Sequence, residues 1–291
     1  MIALQQLING LALGSVYALV AIGLSLIWAT AALLDFAFGQ VFMLGGILTW
    51  SLVVVAGMPL VPAMLIAALF AALLGYVVER SLYARLSTAD HVTVLIATIG
   101  FSMILQDGAT KLWGAETRAL PEAFGGVWHI GEIVVRVHYL FIVASAVVLI
   151  ALFHAGLRWT RLGIALRAVA ENRNVAAMMG VDVLRMLGLG FGASYLLAAM
   201  AGALIGPVTY VATTGGTAMM VKGVTAAVLG GFGSLPGALV GGLAIGLIES
   251  LSAGYLSSAF KDVFVFGFFV AVLLVRPQGL LGERPVGVSE L

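Results

Sequence analysis

The charged residues of this chain are few enough to be read one by one, and the densest group lies between residues 157 and 185. Five of the 14 Lys/Arg residues fall in that stretch: Arg158, Arg161, Arg167, Arg173 and Arg185. Residues 163–171 read as a short helix with Ile164, Leu166 and Val169 among its apolar positions. Asn172 to Asn174 break this helix, Asn174 is placed to cap a second one, and Gly180 to end it. Two short helices with apolar side chains beside arginines need a cover. That cover is either a bilayer surface or a docked partner protein, and the Gly-Asn punctuation favours the partner.

A second group sits at 35–40, where Asp35 and Gln40 flank Phe36 and Phe38 at the start of an apolar run. An acid at a membrane edge is costly and marks function by default. Asp35 also suits an N-cap for the helix that follows, and that is the preferred expectation. A third group is glycine-rich, with seven glycines in residues 230–246. Gly233, Gly237 and Gly241, spaced by four, are expected on one helix face, and Pro236 is expected to break or kink the helix nearby. Gly233, Ser234 and Gly237 then either pack helices or line a route through a discontinuous helix. Gly241 to Gly246, Gly10/Gly14 and Gly188/Gly192 read as packing faces. Glu249 is expected to reach the interface, and Lys222 to lie there with its stem in lipid.

Other chemistries have no residues to rest on. There is no G-x-x-x-x-G-K-[ST] phosphate loop, so ATP cannot bind through such a loop here. His91, His129, His138 and His154 are scattered, and His129 with Glu132 has no second ligand at metal-site spacing. No nucleophile–base pair or carboxylate pair stands out. The expectation is no catalytic residue, no metal and no cofactor. With no cysteine among 291 residues, disulfides and thiolate sites are excluded.

These residues are set in a chain that is 62% hydrophobic and 9% charged, with a mean hydropathy of +1.16. Soluble domains carry about 25% charged residues. Apolar runs of about 20 residues, each long enough to cross a bilayer, recur to the end. They lack strand-like alternation, so the backbone must satisfy itself in helices. The reading is an all-α polytopic transmembrane bundle of about eight spans, near 5–28, 36–56, 61–79, 92–107, 139–156, 186–206 and 262–276, with a broken helix at 222–251. It forms a single transmembrane domain over 1–291, with the loop 157–185 in the cytoplasm. Residues 80–90 read as a short charged loop and 108–138 as a longer hydrophilic one. No Lys or Arg precedes Arg80, so the first apolar segment lacks the positive flank of a cleaved signal and is expected to remain as a span. The basic residues then place the C-terminus inside and the N-terminus outside. A net charge of +1 without a basic stripe gives no footing for nucleic acid. Residues 36–46 and 230–242 echo one another, each with a Gly-polar pair before an apolar run ending in Gly-Gly, as in transport paths built from two repeats.

Taken together, several segments resemble the permease subunits of branched-chain amino-acid ABC importers, of the smaller of two permease types. They are Gln6-Leu-Ile-Asn9-Gly10 to Gly14-Ser15-Val-Tyr17-Ala18, Ala97-Thr98-Ile99-Gly100, Arg167 to Asn172, and Ala177-Met-Met-Gly180. Val228 to Gly237 and Val275-Arg276-Pro277-Gln278-Gly279 to Gly282 complete the match, which runs end to end. The resemblance implies a type II importer-like fold in a bacterial inner membrane. As partners it implies cytoplasmic ABC ATPase subunits, a second permease subunit, different or identical, and a periplasmic solute-binding protein, beside membrane lipids. It places Arg167, Glu171, Asn172, Ala177 and Gly180 in a segment that couples to the ATPase. Candidates for the translocation path are Asp35, Phe36, Phe38, Gly39, Gln40, Gly233, Ser234 and Gly237. One departure stands out: the family usually reads Asn-Phe-Ala-His-Gly-Glu where this chain has Asp35 to Gln40. That opens the substrate to more apolar carboxylates, amides or peptide-like solutes as well as branched-chain amino acids. The alternative class is a stand-alone secondary transporter or channel.

Overall fold

The computed structural model describes residues 2–86, 90–122, 125–130 and 133–282. Arg284, Glu132 and the C-terminus lie outside the described residues. Among the described residues, eleven α-helices and one short hairpin follow one another: α1 (Ile2–Ala31), α2 (Phe38–Trp50), α3 (Leu60–Val78), α4 (His91–Trp113), β1 (Val127–Ile130), β2 (Ile133–Arg136), α5 (Val137–Trp159), α6 (Arg161–Glu171), α7 (Arg173–Met178), α8 (Val183–Thr209), α9 (Gly216–Gly230), α10 (Leu235–Tyr255) and α11 (Lys261–Val275). Seven helical stretches among the described residues are long and apolar enough to cross a membrane. The all-α reading holds.

Boundaries shifted where local chemistry outweighed hydropathy. The stretch read as one broken helix is two, α9 and α10, joined at Gly231–Ser234. Pro236 opens α10 rather than kinking it, because a first-turn residue has no intrahelical N–H bond to lose. Ser234 caps α10 by accepting from the Gly237 N–H at 3.2 Å. Gly233 therefore precedes the helix, in the left-handed region (φ +85°), and does not share a face with Gly237 and Gly241. The 80–90 loop is shorter than expected, since α3 runs on through a π-helical turn, Glu79–Tyr83, into a 3₁₀ turn, Ala84–Leu86. Residues 87–89 of it lie outside the described residues. Helix α4 extends to Trp113, six residues past the expected end of its span. At 15 residues, α11 is short for a span.

The core lies where α1 and α8 meet their neighbours, and small residues set the distances. Gly10 and Gly14 face the backbone of Leu247 and Leu243 on α10, so a side chain at either would meet main chain at about 2.9 Å. Gly45 packs on Ala199 of α8, Gly192 on the Ala72 carbonyl of α3, and Gly242 on Ala18 of α1. The echoing Gly-Gly pairs of α2 and α10 thus have matching roles, each letting its helix lie against a central one. Helices α4 and α5 are mostly exposed. Two ends can be distinguished. The loop end carries α6 and α7, the C-terminus of α1 and the α9–α10 turn, where Trp28 meets Phe232 edge-on at 4.9 Å. The chain beyond α11 returns to this end, Leu280 N–H bonding to the Leu229 carbonyl. The opposite end carries the hairpin β1–β2 and a bridge between Arg118 and Val211.

Candidate functional site: the loop helices and the buried polar clusters

At the loop end the sequence punctuates each helix. Thr160 accepts from the Gly163 N–H at 3.0 Å and caps α6. Asn172 then ends α6 and caps α7, its Oδ1 accepting from the N–H groups of Asn174 and Val175 at 3.0 and 3.1 Å. The cap is Asn172 and not Asn174, because the capping residue must lie outside helical φ/ψ, and Asn172 is extended. Gly180, at φ +83°, closes α7. Leu166, Val169 and Ala176 bury their side chains with Leu157 and Met186, so the two short helices have a small core of their own. Ile164, expected among the apolar contacts, is exposed.

The outward face is what matters for a partner. Arg167, Glu171, Asn172, Ala177 and Gly180 are all exposed there. Met178 and Met179 stand out at 78% and 81% exposure. Flexible, polarisable methionines at this exposure suit an adaptable protein contact. Inward, Arg173 donates through Nε and Nη2 to the Thr30 carbonyl of α1, at 2.9 and 2.6 Å. That carbonyl belongs to the last turn of α1, where carbonyls lack intrahelical partners and the dipole favours a cation.

Asp35 is fully buried, and three donors surround it. Tyr195 Oη donates to Oδ2 at 2.6 Å, and Tyr83 Oη and the Ala37 N–H donate to Oδ1 at 2.9 and 3.0 Å. It is not the N-cap of α2; Ala37 holds that position without a side-chain bond. Burial raises the Asp35 carboxyl above the usual carboxylate range, and the two tyrosine hydroxyls and the Ala37 N–H pull it back in part. Phe38, also buried, lies edge-on to Tyr195 with ring centroids 6.1 Å apart. Gly39 lets α2 touch Gly216 of α9. Gln40 donates to Gln106 Oε1 at 3.1 Å and Thr217 Oγ1 at 3.3 Å, while its own Oε1 is buried against Gly216 without a partner. Phe36 alone of this run is part-exposed. The second set of path candidates, Gly233, Ser234 and Gly237, is held by the α9–α10 turn, where Gly237 packs on the Gly230 carbonyl. The structure thus gathers Asp35, Phe38, Gly39 and Gln40 into one buried region and keeps the glycine corner on other elements.

A third cluster overturns two expectations. Glu249 is 3% exposed and does not reach an interface. Its Oε1 accepts from Lys222 at 2.6 Å and Lys261 at 2.9 Å, and its Oε2 from Tyr17 Oη at 2.7 Å. Lys222 also pairs with Asp262 at 3.1 Å, so it is a half-buried ion-pair partner and not a snorkelling lysine. One carboxylate thus ties α1, α9, α10 and α11 together. The group borders a cavity of about 410 Å³ towards the end opposite the loops. A larger cavity, about 930 Å³, opens at the loop end between α1, α4, α7 and α8. None of the eight path candidates lines either one. Sequence reasoning missed Tyr83 and Tyr195 as partners of Asp35 and counted Arg173 only among the loop arginines; for Tyr195 the available signal was a polar side chain inside an apolar span. Among the described residues no group of His, Asp and Glu could hold a metal.

Among the described residues, seven apolar spans joined by buried polar clusters, with an exposed helix pair between the fifth and sixth, define a multi-pass membrane protein. The comparisons make the class specific. Residues 6–273 match the family model for the branched-chain amino acid transport system permease component. The chain is 36% identical to the high-affinity branched-chain amino acid transport system permease protein LivH of Escherichia coli K12, over 97% of this chain and 96% of that protein. It is 35% identical to the corresponding permease protein BraD of Pseudomonas aeruginosa, over 97% of each. A solved structure, PsaBC from Streptococcus pneumoniae in complex with Fab, aligns with 93% of this chain and 91% of its own at 15% identity and a TM-score of 0.48. The chain belongs to the permease components of branched-chain amino acid transport systems, and it is a multi-pass inner-membrane protein.

Proposed function

We propose that this chain imports branched-chain or related apolar amino acids through the inner membrane, acting as one permease unit beside a second permease subunit. A periplasmic binding protein delivers the solute, and cytoplasmic ATPase subunits dock on the loop 157–185. The observation that carries the reading is the loop pair itself. Helices α6 and α7 have their own core, present Arg167, Glu171, Ala177, Met178 and Met179 outward, and are tied inward to α1 through Arg173. A surface moved by a docked ATPase would therefore move a central helix, which gives the two nucleotide states a contact difference to act through.

Orientation follows. The loop end faces the cytoplasm, with Arg80, Arg158, Arg161, Arg167, Arg173 and Arg185 there and the tail after Arg276 folded back to it. The N-terminus of α1 is then outside. Asp35, Phe38, Gly39 and Gln40 are proposed to border the path once the second permease is in place, and the α9–α10 turn at Gly233, Ser234 and Gly237 to act as its hinge. The substrate follows the relatives, whose names specify branched-chain amino acids. The exchange of His and Glu for Phe38 and Gln40 biases the choice towards the more apolar members. In the assembled transporter, Arg167→Ala or Glu171→Ala should leave the protein in the membrane and hydrolysis running while uptake falls. Unchanged uptake per ATP in both variants would return the loops to a role on the bilayer surface.

A further inference from the structure

The 930 Å³ cavity at the loop end has a wall chemistry that transport coupling leaves unexplained. Most of its lining is apolar, including Trp28, Val94, Leu187 and Phe191. Glu79 is set in that wall, 2% exposed, and its Oε2 has no hydrogen-bond partner. Arg173 lines the same cavity and spends two of its five N–H groups on the Thr30 carbonyl, leaving three for another acceptor. A buried carboxylate oxygen without a donor is costly, and proteins leave one so mainly where something else supplies the donor. Gly188 gives the carboxylate room, since a side chain there would meet Tyr76 and crowd Glu79 Oε2. The volume lies within the usual range for small-molecule sites, about 300–1,000 Å³.

We infer that this cavity binds a small zwitterion on an apolar body, its primary ammonium paired with the Glu79 carboxylate and its anionic group accepting from Arg173. An apolar amino acid and the headgroup of an ethanolamine phospholipid both have this chemistry. Because α7 supplies Arg173 and Ala177 to the wall, an occupant touches the segment proposed to meet the ATPase. The inference rests on the importer reading for what the occupant does there, and on Glu79 and Arg173 for its chemistry.

The test uses the whole transporter in lipid nanodiscs free of ethanolamine lipid, without the solute-binding protein, and measures radiolabelled leucine binding. The wild type should bind saturably. Glu79→Gln, which keeps the shape and removes the charge, should weaken binding at least tenfold, and so should Val94→Trp, which fills the cavity and leaves Glu79 in place. If Glu79→Gln fails to assemble, Val94→Trp decides alone. In a second arm, native mass spectrometry follows added phosphatidylethanolamine. Its retention by wild type and loss from the variants, with no leucine binding, would identify the occupant as lipid and uphold the chemistry. If neither ligand distinguishes wild type from the variants, the inference fails. Hydrolysis stimulated by the loaded binding protein, measured in the same wild-type particles, keeps the two readings apart. Its absence would sink the importer reading alone, and its presence without a binding difference would sink only the cavity site.

Discussion

Arg173 reaches back 143 residues to hold the carbonyl of Thr30, at 2.9 Å from Nε and 2.6 Å from Nη2. This joins the segment most exposed to a partner to the last turn of the most central helix. The fork matters as much as the charge, because two N–H groups in one plane fix the angle between α7 and α1 as well as their distance. Arg173→Lys keeps the cation and loses the fork. It should lower solute moved per ATP hydrolysed by roughly tenfold, about 1.4 kcal/mol of coupling, while leaving ATPase association intact. Proteoliposome flux measured alongside phosphate release checks this; an unchanged ratio would show that the contact merely tethers the loop.

Association is proposed for the outward face. Met178 and Met179 are the most exposed apolar residues of α7 and its end. Met178→Glu should reduce co-purification of the ATPase subunits at least tenfold, since a charge must then be desolvated on docking. The permease should still assemble, because this side chain packs against nothing inside the bundle. Affinity capture followed by quantitative immunoblotting reads the outcome.

The buried Asp35 carboxylate predicts a pH dependence. Its folded pKa is raised, chiefly by burial, so the contribution to stability is present in full below the unfolded carboxylate pKa. It is lost as pH rises through the higher folded value. The detergent-solubilised wild type should therefore show a falling Tm from about pH 4 upward, and Asp35→Asn should flatten that slope. Tyr195→Phe removes the 2.6 Å donor to Oδ2 and should cost about 1–3 kcal/mol. Equal slopes in wild type and Asp35→Asn would assign the pH dependence to other groups.

Glu249 is the hub whose loss should be felt most widely. Glu249→Gln removes the anion shared by Lys222 and Lys261; because Lys222 keeps Asp262 and Lys261 is part-exposed, the cost should sit at the lower end of that for breaking a buried pair, about 3 kcal/mol. Tyr17→Phe removes a single donor to that carboxylate and should cost less, about 1.5 kcal/mol. Thermal denaturation of both variants in one detergent gives the order; a larger effect for Tyr17→Phe would contradict the hub.

The fold class was legible in the sequence because lipid leaves the backbone few options, and the packing glycines were legible because a four-residue spacing puts them on one face. The partners of the buried polar groups were not. Asp35 binds Tyr83 and Tyr195, 48 and 160 residues away, and Glu249 binds Tyr17 across 232. Hydropathy gives a residue's depth but not its bearing within the bundle, so a lysine such as Lys222 reads as interfacial until the helix carrying Glu249 is set beside it. Pro236 shows the same limit locally. Its effect depends on whether it falls in the first turn or the interior, and the sequence left the start of α10 open.

A permease worked by separate ATPase subunits, as proposed for this chain, is tested most directly by leucine uptake into proteoliposomes with ATP on the loop side. With the second permease, the ATPases and the loaded binding protein present, uptake should require ATP and rise above the solute gradient. The purified chain alone should show neither hydrolysis nor flux. Leucine flux through the lone chain, with or without ATP, would contradict the account and leave a stand-alone transporter or channel in its place.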